Sequence, residues 1–134
     1  MSTTNSDYLL LFRGNEWQKR LSPEELEKTL GRFMGWFEEL KEEGKMKGAN
    51  PLYAEGKLVS GANGRVVVDG PFAESKEAIG GYFLVSVSGE EEAVAIAQRC
   101  PTLEHGCVVE VRPVAPECPL AHSLREATAE LAHA

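Results

Sequence analysis

The sequence is short of the groups from which most recognisable sites are built. Cysteine and histidine occur three times each in 134 residues. Cys100, Cys107 and Cys118 are odd in number and unpaired in spacing, so they do not form a disulfide framework. No Cys-x-x-Cys pair exists to start a zinc site. His105 and Cys107 would share one face of a strand by period 2, without convincing partner ligands, so no metal and no cofactor is expected. Basic residues are outnumbered, 14 to 21, for a net charge of −7. That balance argues against nucleic acid, which favours a basic face, and against an anionic membrane surface. No apolar run approaches a membrane span. Met1-Ser2-Thr3-Thr4-Asn5-Ser6 lacks the charged-then-apolar pattern of a signal peptide, and a cytoplasmic location is the expectation. A Gly-x-Ser-x-Gly elbow, a P-loop and a dinucleotide fingerprint are all absent. No histidine has an obvious nucleophile and acid beside it.

What is present reads as one domain, residues 1–134, with a core over about 7–114 and a helical tail over about 119–132. The chain is long enough to bury a real core. Tyr8-Leu9-Leu10-Leu11-Phe12 is a continuous apolar run of strand length, and burial on both faces suits a central strand. Arg13 closes it, as a surface cap or as a fixed cation beside a cleft. Residues 14–21 form a connection. Ser22-Pro23-Glu24-Glu25 then announces a helix, with Ser22 as N-cap, proline in the first turn and Glu25 three places on. Leu26, Leu30, Phe33, Phe37 and Leu40 make its apolar stripe, with Met34 and Trp36 beside it, and Gly44 ends it. Gly31 and Gly35 interrupt the helix at a cost that suggests close approach by another element.

Residues 45–55 read as irregular, with Asn50-Pro51 as a turn signal and Leu52 and Tyr53 covering the sheet edge. Lys57-Leu58-Val59-Ser60 and Arg65-Val66-Val67-Val68 flank Asn63-Gly64, the favoured hairpin pair. A strand follows from Gly81 to about Val87. Ser88-Gly89-Glu90-Glu91 predicts a second capping box, before a helix that stops at Cys100-Pro101. The last strand is predicted over about Gly106 to Arg112, with His105 at its start. The order β-α-β-β-α-β is that of a ferredoxin-like α+β domain with an antiparallel sheet, its second β unit widened into a hairpin. Leu120, Leu124, Ala127 and Leu131 share one face of an alanine-rich tail helix, which docks on its own domain or on a second copy.

The chain is organised around residues 69–82, Asp-Gly-Pro-Phe-Ala-Glu-Ser-Lys-Glu-Ala-Ile-Gly-Gly-Tyr. Asp69 at a strand end can start a turn, and Pro71 fixes it. Phe72 anchors the loop, and Glu74, Lys76 and Glu77 alternate in charge. Gly80-Gly81 lets the backbone turn sharply or come close to another chain. So dense a connection reads as a decorated turn or as a loop lining a ligand site.

This stretch resembles the DGPF family, part of the wider YCII-related group. Tyr8 to Gly14, Trp36, Cys100-Pro101 and Glu110-Val111-Arg112-Pro113-Val114 are similar to that family's landmarks in the same order. The resemblance implies a ferredoxin-like domain that pairs through its sheets as a homodimer, the dimeric α/β barrel. It also implies a His–Asp pair with the histidine on the first helix. The matching helix, Phe33-Met34-Gly35-Trp36-Phe37, holds no histidine, so Asp69 alone carries over.

Two classes of function follow. The first is a cofactor-free small-molecule enzyme with Asp69 as acid/base carboxylate and His105 as a second candidate. Arg13, Phe33, Trp36, Phe72, Glu77 and Tyr82 would line its pocket. Families related by the same resemblance isomerise, dechlorinate or oxygenate small molecules. The second is a non-catalytic ligand sensor or accessory protein, whose implied partner is an extracytoplasmic-function sigma factor.

Overall fold

A computed structural model describes residues 5–14, 16–70 and 78–132. Phe72, Glu77 and the rest of 71–77 lie outside the described residues. The elements run β1 (Ser6–Arg13), α1 (Pro23–Glu42), β2 (Met46–Pro51), β3 (Lys57–Ser60), β4 (Val66–Asp69), β5 (Ile79–Val87), α2 (Glu90–Ala97), β6 (Val108–Pro113) and α3 (Pro119–Ala132). Two 3₁₀ segments, Trp17–Arg20 and Pro101–His105, fill connections.

The main sheet has the order β2-β5-β1-β6, and every neighbouring pair is antiparallel. With β3 and β4 set aside, this is the ferredoxin-like order, and the fold is α+β. Strands β1 and β5 are central, as the β-α-β-β-α-β pattern requires. Leu10, Phe83, Val85 and Val87 bury against α1 and α2 through Trp36, Leu40, Ala93 and Ile96. Burying each such side chain is worth about 1.5–3 kcal/mol, and this layer supplies most of the drive to fold.

Sequence signals at the ends of α1 hold atom by atom. Glu25 donates its backbone N–H to Ser22 Oγ, and the Glu25 carboxylate accepts from the Ser22 N–H. Gly44, at φ 74°, lets its own N–H reach Lys41 C=O while that of Lys45 reaches Leu40 C=O. These two bonds close a Schellman turn that only a left-handed residue permits without strain.

Several expectations are corrected. The second core strand is β2, inside the stretch read as irregular, and the hairpin β3–β4 is a separate two-stranded sheet. Strand β2 tolerates Pro51 because it is an edge strand. Its register shifts between Met46 and Gly48, which hides its periodicity. Leu52 and Tyr53 are exposed and cover nothing.

Helix α1 is rotated from its expected stripe. Thr29, Trp36 and Leu40 are buried and Phe33 and Phe37 half-buried, whereas Leu30 is exposed. Neither Gly31 nor Gly35 is approached: a Cβ added to either meets nothing within 4 Å. Helix α2 is capped at Gly89, with no side-chain cap bond, so the second capping box does not form. Instead Glu92 reaches back to the Ser88 N–H at 2.9 Å. Strand β1 buries only Leu10 fully, and its other face is half-exposed. Helix α3 exposes Leu120, Leu124 and Leu131, so it does not dock on its own domain. His105 ends a 3₁₀ segment and Cys107 precedes β6, so the two do not share a strand face.

Candidate functional site

Five aromatic rings from three elements meet on the helix side of the sheet. Phe83 of β5 sits 4.9 Å from Phe12 of β1 and 5.1 Å from Trp36 of α1, between ring centroids. Phe33 and Phe37 of α1 approach Phe83 at 5.5 Å each. Edge-on and tilted contacts of this kind add about 0.5–1.5 kcal/mol per pair beyond burial. Trp36 is 4% exposed, and its Nε1–H is buried with no hydrogen-bond partner among the described residues.

Beside this cluster lies a cavity of about 530 Å³, between α1 and the end of the sheet where β1 stops and β5 starts. Phe12, Phe33, Phe37 and Phe83 form its apolar wall, and Leu30 and Met34 stand at its exposed rim. Trp17, from the connection before α1, closes another side. The polar groups in the lining are few: Gln18, Asn50, Tyr82, Thr102 and Cys107.

Gly81 sets the best-defined of these groups. A Cβ there would lie 3.0 Å from Asn50 O and 3.2 Å from Pro51 Cα. Only glycine lets β2 come so close, and the element approached is a strand of the same chain. The register that results pairs Asn50 with Tyr82. Asn50 Nδ2 donates to Tyr82 Oη at 2.8 Å. Side chains alternate along β5, so this pair lies on the sheet face turned away from α1, with Leu11 and Leu84, while Phe83 faces the cavity.

The candidate residues named from sequence do not all gather here. Phe33 and Tyr82 line the cavity. Trp36 stands behind the wall, in the core. Arg13 points to the opposite face of the sheet, where it pairs with Glu110 at 2.5 Å. The guanidiniums of Arg112 and Arg13 hold the Glu110 carboxyl below the usual range. Asp69 lies exposed on the β3–β4 hairpin, ion-paired to Lys57, and is in neither the cavity nor its neighbouring recess.

His105 occupies that recess, of about 400 Å³, on the far side of Trp17. Its ring stacks on Trp17 with centroids 6.1 Å apart and 15° between planes. Nε2 lies 3.2 Å from Thr29 Oγ1 and 3.2 Å from a Glu104 carboxylate oxygen. The Arg32 guanidinium beside Glu104 keeps that carboxyl below its usual range. Among the described residues nothing joins Asp69 to His105.

Trp17 is one of several lining residues that the sequence reading missed, and it stood in an unassigned connection. A tryptophan in the polar run Glu16-Trp17-Gln18-Lys19-Arg20 was the available signal, since so large an apolar ring seldom stays in water.

Burial pushes the thiols of Cys100 and Cys107 up, away from thiolate. Cys100 Sγ lies 3.1 Å from Thr102 Oγ1. Cys118 is exposed. A thiol-exchange reagent should therefore modify Cys118 at once and Cys100 and Cys107 only on unfolding. Three equal rates in the native protein would contradict this placement. Among the described residues no group of three or more His, Cys, Asp or Glu side chains could hold a metal. No helix there is long and apolar enough to cross a membrane.

No curated protein matches the sequence. The YCII-related domain matches residues 7–117, from the start of β1 to just past β6. With that match over most of its length and the strand order found here, the chain belongs to the YCII-related family.

Proposed function

We propose that the protein binds a small, largely apolar molecule in the cavity under α1, with an aromatic ring against Phe12, Phe33 and Phe83. One polar substituent of that molecule bonds to the side chain of Gln18, a polar residue of the lining. The observation that carries this reading is the combination of about 530 Å³ of space with aromatic walls and few polar groups. Ligand sites have this size and this ratio of apolar to polar lining.

The described lining holds no carboxylate and no imidazole, and its ionisable groups are Tyr82 and Cys107. Burial keeps Cys107 a protonated thiol. These facts favour binding over acid/base catalysis by a carboxylate at this site. In this reading the binding unit is a homodimer. The sheet face turned away from α1 and α2 leaves Leu9, Leu11 and Leu84 half-buried, as a face awaiting a second layer does.

Titration with p-cresol, indole and benzoate, followed by ligand-observed NMR and thermal shift, tests the proposal. At least one should bind saturably. Gln18→Leu should weaken that compound about three- to tenfold, the worth of one hydrogen bond. Met34→Trp, which fills the rim, should abolish binding. Affinity unchanged in both variants would overturn the site.

A further inference from the structure

The β3–β4 hairpin carries apolar side chains on both faces, and among the described residues no other strand pairs with it. Leu58, Val59, Val66, Val67 and Val68 are each between 50% and 65% exposed. A lone two-stranded hairpin is marginal in water, and an exposed apolar edge invites another strand.

The direction of that edge follows from one bond. Gly70 N–H donates to Gly56 C=O at 2.7 Å, in register with the pairs Leu58–Val68 and Ser60–Val66. Antiparallel strands alternate the side to which their backbone groups point. The N–H and C=O of Val66 and Val68 therefore face β3. Those of Val67 and Asp69, and of Arg65 by the same alternation, face outward. Among the described residues β4 has no neighbour on that side.

We propose that this edge pairs with the same edge of a second copy of the chain, antiparallel about a twofold axis at Val67, which joins two hairpins into one four-stranded sheet. The sequence Arg65-Val66-Val67-Val68-Asp69 is complementary to itself in that register. Arg65 falls opposite the partner's Asp69, and its own Asp69 opposite the partner's Arg65. Val66 meets the partner's Val68. A slip by two residues puts a charge against a valine at both ends, so charge as well as shape selects the register. A twofold contact of this kind closes on itself and does not propagate into fibres.

The inference is independent of the cavity, since no lining residue takes part. It is also separate from pairing through the main sheet: a chain using both contacts would be a tetramer.

The test uses the full chain. In a Cys118→Ser background, Val67→Cys should give a covalent dimer on mild oxidation. The twofold brings its two Cα atoms to about 5.5 Å, within disulfide reach. Val59→Cys, more exposed but one strand removed from the axis, should not. Val67→Pro removes only an outward N–H and spares the β3–β4 ladder. Light scattering should then give half the wild-type mass, and Arg65→Glu should weaken association at least tenfold. A monomeric wild-type protein, Val67→Cys crosslinking no better than Val59→Cys, or an unchanged mass for Val67→Pro would each overturn the proposal.

Discussion

Phe83→Ala should lower the stability of the protein by about 3–5 kcal/mol, the range for a buried large-to-small aromatic truncation. The ring is 4% exposed. It touches four others, Phe12, Phe33, Trp36 and Phe37, at centroid distances of 4.9–5.5 Å. No other ring of the cluster touches all the rest. Truncation forfeits those contacts and the buried area together. The space left opens into a cavity of about 530 Å³ that is already there, so the surrounding side chains have little means of closing it. Against a total of about 5–15 kcal/mol for a typical domain, the loss should be visible as a large fall in urea midpoint at unchanged slope. Tyr53→Ala, at a site 89% exposed, is the control and should stay within about 0.5 kcal/mol of wild type. A Phe83→Ala loss under about 1 kcal/mol would mean that the ring cluster does not hold the helix layer to the sheet.

That cluster shows which parts of the protein could be read from its residues. Period and punctuation made β1, α1, the hairpin, β5 and α2 legible, because each carries a strong local signal: an apolar run, a capping box, Asn63-Gly64, a diglycine, a proline stop. Strand β2 was not legible. Gly48 interrupts its alternation, Pro51 imitates a turn, and what holds it in the sheet is pairing with β5, a partner more than thirty residues away. The face of α1 was displaced for a similar reason. Thr29 is buried by His105, which bonds it from the far end of the chain, and no helical period encodes that.

The site divides along the same line. Phe33 and Tyr82 lie on periodic elements, and both border the cavity. Asp69 owes its prominence to loop chemistry, yet the hairpin that carries it stands apart from the main sheet. Phe72 and Glu77 lie outside the described residues. Helix α3 was legible as a helix, but its leucine stripe says only that something must cover it. An apolar face specifies burial without specifying the partner.

Glycine gives the sharpest division between what a sequence costs and what a structure requires. Gly35→Ala should stabilise the protein by up to about 1 kcal/mol, since a helix interior pays roughly that for glycine and the new Cβ meets nothing within 4 Å. Gly81→Ala should destabilise it by about 1–3 kcal/mol, the cost of overpacking. There the Cβ would sit 3.0 Å from Asn50 O and 3.2 Å from Pro51 Cα, both backbone atoms that cannot swing aside. Relief requires β2 to move away from β5, and that motion stretches the Asn50–Tyr82 bond of 2.8 Å. The Gly81→Ala protein should therefore also bind a cavity ligand more weakly, while Gly35→Ala should bind it as wild type does. Urea midpoints of the two variants check the opposite signs, and a ligand titration checks the coupling. A Gly81→Ala protein as stable as wild type would show that the two strands are not held at the distance that shapes this end of the cavity. Loss of stability with ligand affinity intact would separate the strand contact from the site.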